Sequence, residues 1–214
     1  MDYVLIDLDG TITNPKEGIT KSLQYALKAM NIHIEDRDSL TRFIGPPLWE
    51  SFKSFGFTDE EVDMAVGKYR EYYLVKGIYE NELYEGMENL LTRLKQAGKY
   101  LIVATSKPEE AAKHVLEHFH IVHYFDDICG ASEDRSRSTK EDVLKYALEK
   151  NAISGLDRVV MVGDRKYDVL GAKEMGIKSI GVLYGFGSEE ELRKAGADHI
   201  ASTVDSIYDI IMEM

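Results

Sequence analysis

Short runs of branched apolar residues alternate along the chain with stretches in which apolar residues recur every three or four positions. The recurring apolar positions, such as Leu90, Leu91 and Leu94, predict amphipathic helices. The apolar runs have the length of buried strands and end at Gly, Thr or Asp. They cover residues 3–8, 100–104, 127–129, 159–162 and 179–183. Strands alternating with helices of this length predict an α/β fold with a doubly wound, Rossmann-like parallel sheet.

Two helix starts can be predicted from capping-box spacing, in which Ser or Thr is followed three residues later by Glu. Ser106 with Glu109 and Ser188 with Glu191 have this spacing. Pro108 also suits the first turn of a helix. We therefore expect one helix to begin directly after Ser106 and another directly after Ser188.

One long stretch, residues 14–80, contains no convincing strand, and its apolar residues have helical spacing throughout. Thr58 with Glu61 has the spacing of another capping box within it. We interpret this stretch as a small helical domain inserted after the first strand. The expected division of the chain is residues 15–80 for the inserted domain, and residues 1–14 with 81–214 for the α/β core.

Two aspartates lie where the first predicted strand ends, in the sequence Asp7-Leu8-Asp9-Gly10. Residues two apart in an extended chain point the same way, so both carboxylates would face one place. Gly10 then permits a tight turn. Open α/β sheets bind their ligands at the carboxyl ends of parallel strands. An ordinary polar loop has the same composition, so this pair alone does not decide between the two interpretations.

A second pair of aspartates favours the functional interpretation. The predicted strand 159–162 is followed by Gly163 and Asp164, and Asp168 comes about one helical turn later. Four acidic groups at one edge of a sheet would repel each other unless a cation lay between them. Oxygen ligands in small number suit Mg²⁺. The sequence therefore predicts a Mg²⁺ site formed by both pairs.

Between the two acidic pairs, the sequence supplies groups that a phosphate dianion requires. Thr105 and Ser106 end the predicted strand 100–104 and would open the next helix, whose free N–H groups attract anions. Lys140 would add a positive charge at the start of the helix before Gly163. Each of these residues alone is equally consistent with a helix cap or a solvated lysine. Their order along the chain makes them candidates for phosphate binding.

These motifs together resemble the haloacid dehalogenase (HAD) superfamily over the whole chain. The resemblance implies a sheet in the order 3-2-1-4-5 and a helical C1 cap, here the inserted domain. Segments such as FIGPPLWESF and MVGDRKYDVLGAK are similar to a 5′-nucleotidase-like subgroup close to phosphoglycolate phosphatases. The residues that carry the superfamily resemblance are Asp7-Leu8-Asp9-Gly10-Thr11, Thr105, Lys140, Gly163-Asp164 and Asp168.

The resemblance also implies roles for the aspartates. Asp7 would be the nucleophile, and Asp9 the general acid and then the general base. The carboxylates of Asp7 and Asp164 and the backbone carbonyl of Asp9 would hold Mg²⁺, with Asp168 in support. The expected enzyme is a Mg²⁺-dependent phosphatase that hydrolyses a small phosphate monoester through an aspartyl-phosphate. A nucleoside 5′-monophosphate or a similar metabolite such as phosphoglycolate would be its substrate.

The remaining roles concern the substrate. Thr105 and Lys140 would bind the phosphoryl oxygens. The lysine follows a loop, SEDRSRST, that departs from the Lys-Pro form common in the superfamily. Arg42 and Gly45 lie where such caps place a substrate-facing loop. The sequence Gly45-Pro46-Pro47 is also what a simple break between helices requires.

Composition narrows the choice of partners. The formal net charge of −12 disfavours nucleic-acid polymers and anionic membranes. The apolar runs are too short to cross a bilayer. Cys129 is the only cysteine, so an intramolecular disulfide is impossible, as is usual in a reducing compartment. We expect a cytoplasmic enzyme acting on a small phosphorylated metabolite, of undetermined oligomeric state.

Two other functions use the same residues. A phosphomutase would employ the same aspartates but would shield its phosphoenzyme from water. A non-enzymatic regulatory module could be phosphorylated on Asp7 and signal by a change of shape. Asp9 argues against the regulatory module, because a general acid/base accelerates turnover of the phosphorylated state.

Overall fold

A computed structural model describes residues 1–214. The strands are β1 Tyr3–Ile6, β2 Thr13–Asn14, β3 Glu82–Leu83, β4 Tyr100–Pro108, β5 Asp127–Ala131, β6 Val159–Gly163, β7 Lys178–Val182 and β8 His199–Ala201. The α-helices are α1 Lys16–Ala29, α2 Leu48–Lys53, α3 Asp59–Tyr72, α4 Met87–Gln96, α5 Glu109–His118, α6 Lys140–Lys150, α7 Lys166–Glu174, α8 Glu189–Ala195 and α9 Val204–Glu213. Short 3₁₀-helices cover Arg37–Phe43, Val122–Tyr124 and Leu156–Arg158, and a π-helical turn covers Tyr73–Gly77. No helix is both long and apolar enough to span a membrane.

Six strands form one parallel sheet in the order β5-β4-β1-β6-β7-β8, and helices flank it. The predicted α/β fold class is therefore confirmed. If the strands of this sheet are numbered in chain order, the order is the expected 3-2-1-4-5 with a sixth strand, β8, added at one edge. The sequence analysis did not predict β8, which has only three residues.

The register of the central strands sets the position of the residues that follow them. Ile6 at the end of β1 lies opposite Val103 in β4 and Val162 in β6. Parallel strands in this register end at the same edge of the sheet, called here the carboxyl edge. The side chains that follow β1 and β6 therefore emerge beside each other.

One face of the sheet packs against α6 and α7. Leu5, Ile102 and Met161 come from the three central strands and belong to one buried cluster with Leu144 of α6 and Ala172 of α7. Alternate residues of β1 point to opposite faces, and its Val4 and Ile6 are also buried. The central strands are thus buried on both faces, which is why residues 3–6, 100–104 and 159–162 are apolar without interruption.

The chain divides into two compact units, Met1–Asn14 with Leu83–Met214 and Pro15–Glu82. The sequence analysis placed the second boundary after residue 80. The smaller unit is helical: it contains α1 to α3, and Thr58 caps α3 through a capping box with Glu61. That the smaller unit acts as a cap stays a prediction.

Several predicted boundaries are wrong: β1 ends at Ile6 rather than at residue 8, and β5 continues to Ala131 rather than ending at residue 129. Strand β4 does not end at Ala104 but continues to Pro108, where it pairs with Ala131 of β5 after an irregularity in the register. Helix α5 begins at Glu109 with Pro108 as its N-cap, so Ser106 does not cap it. At the other predicted start, Ser188 is the N-cap of α8 and accepts a hydrogen bond from the N–H of Glu191.

Candidate active site

Three buried carboxylates converge at the carboxyl edge of the sheet. Asp7 directly follows β1, Asp164 directly follows β6, and Asp168 lies in the first turn of α7. One oxygen of each lies within 4.8 Å of the others. The two acidic pairs that the sequence analysis expected to meet therefore contribute three carboxylates to one cluster.

Lys140, the first residue of α6, brings a positive charge into this cluster. Its Nζ lies 3.0 Å from Oδ1 of Asp7 and 2.8 Å from Oδ1 of Asp168, and it donates a hydrogen bond of 2.9 Å to the carbonyl of Ala104. Burial lowers the pKa of Lys140, but the charges of Asp168 and Asp7 outweigh burial and hold its pKa above the ordinary lysine value. Lys140 is therefore a fixed ammonium group at the cluster.

One ammonium group does not balance three carboxylates. Oδ2 of Asp164 accepts a hydrogen bond of 2.8 Å from the N–H of Phe186, while its Oδ1 is buried without a hydrogen-bond partner. Burial, followed by the charges of Asp168 and Asp7, raises the pKa of Asp164 well above its ordinary value. An all-oxygen set with an unpaired buried oxygen and excess negative charge fits a divalent metal ion.

Glycines allow the backbone to approach these carboxylates closely. Gly10 has φ +89°, and a Cβ there would lie 2.3 Å from Oδ2 of Asp164. A Cβ at Gly163 would lie 2.1 Å from Cγ of Asp168. Any side chain at either position would displace a carboxylate of the cluster.

A separate ion pair lies beside the cluster. Asp9 follows β1 two residues after Asp7, and its Oδ2 lies 2.5 Å from Nζ of Lys107. The two side chains are 13% and 5% exposed. Oδ1 of Asp9 is buried and has no hydrogen-bond partner. Asp7 and Asp9 thus pair with two different lysines, Asp7 with Lys140 and Asp9 with Lys107.

The chain is similar to known proteins over most of its length. The family model described as haloacid dehalogenase-like hydrolase matches residues 4–182. The chain belongs to this family. A 5′-nucleotidase of Pseudomonas aeruginosa is 40% identical over 209 residues, which cover 97% of this chain and 94% of the relative.

Other relatives extend the comparison. The tyrosine-protein kinase PtkA of Mycobacterium tuberculosis is 38% identical over 97% of this chain and 72% of its own length. A predicted phosphatase from Clostridium acetobutylicum has a solved structure that superimposes with a TM-score of 0.97. It is 50% identical to this chain, with coverage of 100% of this chain and 99% of that one. The protein is a HAD phosphatase, a hydrolase that acts on phosphoric monoesters.

In this HAD phosphatase, no helix begins at Thr105 or Ser106, so the helix N–H groups expected there are missing; that these two residues bind phosphate stays a prediction. Both residues belong to β4, and α5 begins only at Glu109. Thr105 is buried, and its Oγ1 accepts a hydrogen bond of 3.2 Å from the N–H of Lys107. The preceding residue, Ala104, accepts a hydrogen bond from Lys140 through its carbonyl. Thr105 is therefore adjacent in sequence to a residue that contacts the cluster.

Arg42 and Gly45 belong to the smaller unit. Arg42 is exposed, and its guanidinium carbon lies 4.7 Å from the ring centroid of Phe43. Gly45 has φ +105°, in the turn before α2. Their role in substrate recognition stays a prediction.

The sequence analysis missed Lys107 because it assigned residues 106–109 to the start of a helix. In the extended strand that the structure shows, Thr105 and Lys107 are two residues apart and point the same way. Lys107 could therefore have been predicted from the two-residue periodicity of a strand, which was the basis for grouping Asp7 with Asp9.

Proposed function

We propose that this HAD phosphatase depends on Mg²⁺ and hydrolyses a small phosphate monoester through an aspartyl-phosphate on Asp7. The observation that supports this most directly is the position of the Asp7 carboxylate. It lies beside the ammonium group of Lys140 and in one cluster with the carboxylates of Asp164 and Asp168, at the ligand-binding edge of the sheet. Both contacts of Asp7, from Lys140 and from the N–H of Leu8, fall on Oδ1.

In the first step, an oxygen of Asp7 attacks phosphorus, and the bond between phosphorus and the ester oxygen breaks. Asp9 donates a proton to the departing ester oxygen, which leaves as an alcohol. In the second step, Asp9 takes a proton from water, and the water oxygen attacks the phosphorus of the aspartyl-phosphate. Inorganic phosphate leaves, and Asp7 is regenerated. Splitting the reaction into two displacements lowers the barrier of a very slow hydrolysis.

The buried acidic residues would hold Mg²⁺. The ligands would be the carboxylates of Asp7 and Asp164 and the backbone carbonyl of Asp9, with Asp168 in support. When bound, Mg²⁺ would neutralise the negative charge of the phosphoryl oxygens. Lys140 adds a second positive charge at the same place, and Thr105 supplies a hydroxyl group for a phosphoryl oxygen.

The proposed substrate class is the nucleoside 5′-monophosphates or similar small metabolites such as phosphoglycolate. The name of the 5′-nucleotidase relative supports this class, because that relative is similar to this chain over nearly its whole length. Residues of the smaller unit, with Arg42 and Gly45 as candidates, would distinguish between substrates.

The test is phosphate release from a panel of phosphate monoesters, measured with Mg²⁺, with Ca²⁺ and with excess chelator. We expect no turnover in chelator, recovery with Mg²⁺, and no recovery with Ca²⁺, because its looser coordination misplaces the phosphate. Full turnover in excess chelator would overturn the metal assignment.

The covalent step is tested with two substitutions. Asp7→Asn should abolish both turnover and labelling of the protein by substrate phosphate. Asp9→Asn should reduce turnover by roughly 10²–10⁴-fold, the usual contribution of a general acid/base. Asp157→Asn, at an exposed aspartate in the 3₁₀-helix Leu156–Arg158, is the control and should have no effect. Near wild-type activity of Asp7→Asn would exclude the aspartyl-phosphate.

A further inference from the structure

Lys107 is a buried lysine outside the acidic cluster that Lys140 serves. Its side chain is 5% exposed and forms an ion pair with Asp9. Removing a lysine from water costs several kcal/mol unless a charged partner compensates. The ion pair with Asp9, next to the proposed reaction centre, provides such compensation for Lys107.

The backbone of β4 is shaped so that Lys107 reaches Asp9. The register of β4 against β5 shifts between Ala104 and Pro108, within the extension of the strand. The N–H of Lys107 is bound by Oγ1 of Thr105 at 3.2 Å. Across the strand pair, a Cβ at Gly130 would lie 2.6 Å from the carbonyl oxygen of Lys107, so only glycine permits this close approach. Lys107 is thus held at both its backbone N–H and its side chain.

The two oxygens of Asp9 have different surroundings. Oδ2 is bound by Nζ of Lys107 at 2.5 Å, whereas Oδ1 is buried without a hydrogen-bond partner. A carboxylate bound through one oxygen cannot rotate freely about its last torsion. The free oxygen then has a fixed direction.

We propose that Lys107 is a positioning residue, which binds Oδ2 of Asp9 so that Oδ1 is the oxygen that exchanges the proton with the leaving group and with water. This inference rests on the proposed function, in which Asp9 is the general acid and base. Lys107 acts through Asp9 and does not need to touch the substrate.

The inference predicts a dependence on the leaving group. An alkyl phosphate, such as a nucleoside 5′-monophosphate, loses a poor leaving group that needs the proton from Asp9. In 4-nitrophenyl phosphate the leaving group departs as a stabilised phenolate and needs little protonation. The kcat/KM value reports on the first displacement for both substrates. A misplaced Asp9 should therefore reduce kcat/KM for the alkyl phosphate more than for the aryl phosphate.

The experiment is a double-mutant cycle between Lys107→Met and Asp9→Asn, with kcat/KM measured on both substrates. In the wild-type background, Lys107→Met should reduce kcat/KM for the alkyl phosphate by about 10²-fold, the size of effect that a misplaced catalytic group has. The aryl phosphate should lose much less. In the Asp9→Asn background, Lys107→Met should cause no further loss on either substrate. Lys107→Arg, which keeps the charge, should restore part of the loss.

Lys113→Met, at an exposed lysine of α5, controls for the change in net charge and should match the wild type. If Lys107→Met does not fold, the same cycle is run with Lys107→Gln, which keeps an N–H donor without the charge. Equal losses in both Asp9 backgrounds, or on both substrates, would overturn the positioning role and leave the proposed function intact. A wild-type rate for Asp9→Asn on the alkyl phosphate would instead overturn the acid/base role of Asp9 itself.

Discussion

At the scale of single residues, the site is built from charges that are costly to bury. Asp164 is fully buried, and its Oδ1 has no hydrogen-bond partner. Asp7 and Asp168 lie close to it, and the single ammonium group of Lys140 compensates only part of their charge. Such an arrangement lowers the stability of the metal-free protein. Functional sites commonly reduce the free energy of unfolding in this way.

Asp164→Asn should therefore stabilise the metal-free protein while abolishing its response to the metal. The substitution removes one of the repelling charges but keeps an oxygen that can accept the hydrogen bond from Phe186. We expect Tm in chelator to rise by about 2–4 °C, the shift that corresponds to about 1 kcal/mol in a chain of this size. Mg²⁺ should raise Tm of the wild type, because it binds only the folded state, but not of the variant.

The measurement is thermal unfolding with and without Mg²⁺, and Asp157→Asn is the control. That variant should keep both the wild-type Tm in chelator and the wild-type increase with Mg²⁺. An Asp164→Asn protein that still gains stability from Mg²⁺ would show that the metal does not need this carboxylate.

At the scale of secondary-structure elements, helix α6 determines where Lys140 lies. Lys140 is its first residue, and Thr139 caps it through a capping box with Asp142. The Thr139 side chain accepts from the N–H of Asp142, and the Asp142 side chain accepts from the N–H of Thr139. The cap therefore fixes the residue at which the helix starts, and with it the backbone position of Lys140.

Thr139→Ala should reduce both stability and activity. Loss of such a cap costs about 1 kcal/mol, and fraying of the first turn would move Lys140 relative to Asp7 and Asp168. Thr203→Ala is a matched control, because Thr203 caps α9 through a capping box with Ser206 and α9 carries none of the site residues. We expect similar losses of Tm in both variants, and a loss of kcat in Thr139→Ala alone. Equal kcat values would show that the cap does not position Lys140.

The elements also show how far the sequence predicts the site. The ends of β1 and β6 could be predicted to within two residues: β1 ends at Ile6 rather than at residue 8, and β6 ends at Gly163 rather than at residue 162. The end of β4 could not. Ser106 and Glu109 have the spacing of a capping box, but pairing of Pro108 with Ala131 of β5 extends the strand instead.

That failure has a physical reason. A local pattern carries no information about the neighbouring strand, so tertiary pairing overrode the local preference for a helix. The same error concealed Lys107, whose partner Asp9 is far away in the sequence. The order of the motifs was sufficient to bring Asp7, Lys140 and Asp164 together, because the ends of parallel strands meet at one edge.

At the scale of the whole molecule, the net charge of −12 opposes the approach of an anionic substrate. Binding must then depend on local positive groups. In the larger unit, Lys140 would supply such a group for the phosphoryl oxygens. In the smaller unit, the resemblance to capped HAD enzymes suggests Arg42 for the rest of the substrate. Replacing Lys140 and replacing Arg42 should therefore change the kinetics in different ways.

Arg42→Ala should raise KM for the best natural substrate but leave 4-nitrophenyl phosphate unaffected, because an aryl phosphate offers nothing for a residue that recognises the leaving group. Lys140→Ala should reduce kcat/KM for both substrates alike, since both carry the same phosphoryl group. Arg37→Ala is the matched control for Arg42. Arg37 begins the same 3₁₀-helix, Arg37–Phe43, and pairs with Glu17 within the smaller unit. Steady-state kinetics of the three variants on both substrates would separate the roles. Equal changes for the two substrates in Arg42→Ala would remove Arg42 from substrate recognition, while the chemistry assigned to Asp7, Asp9 and Lys140 would remain unaffected.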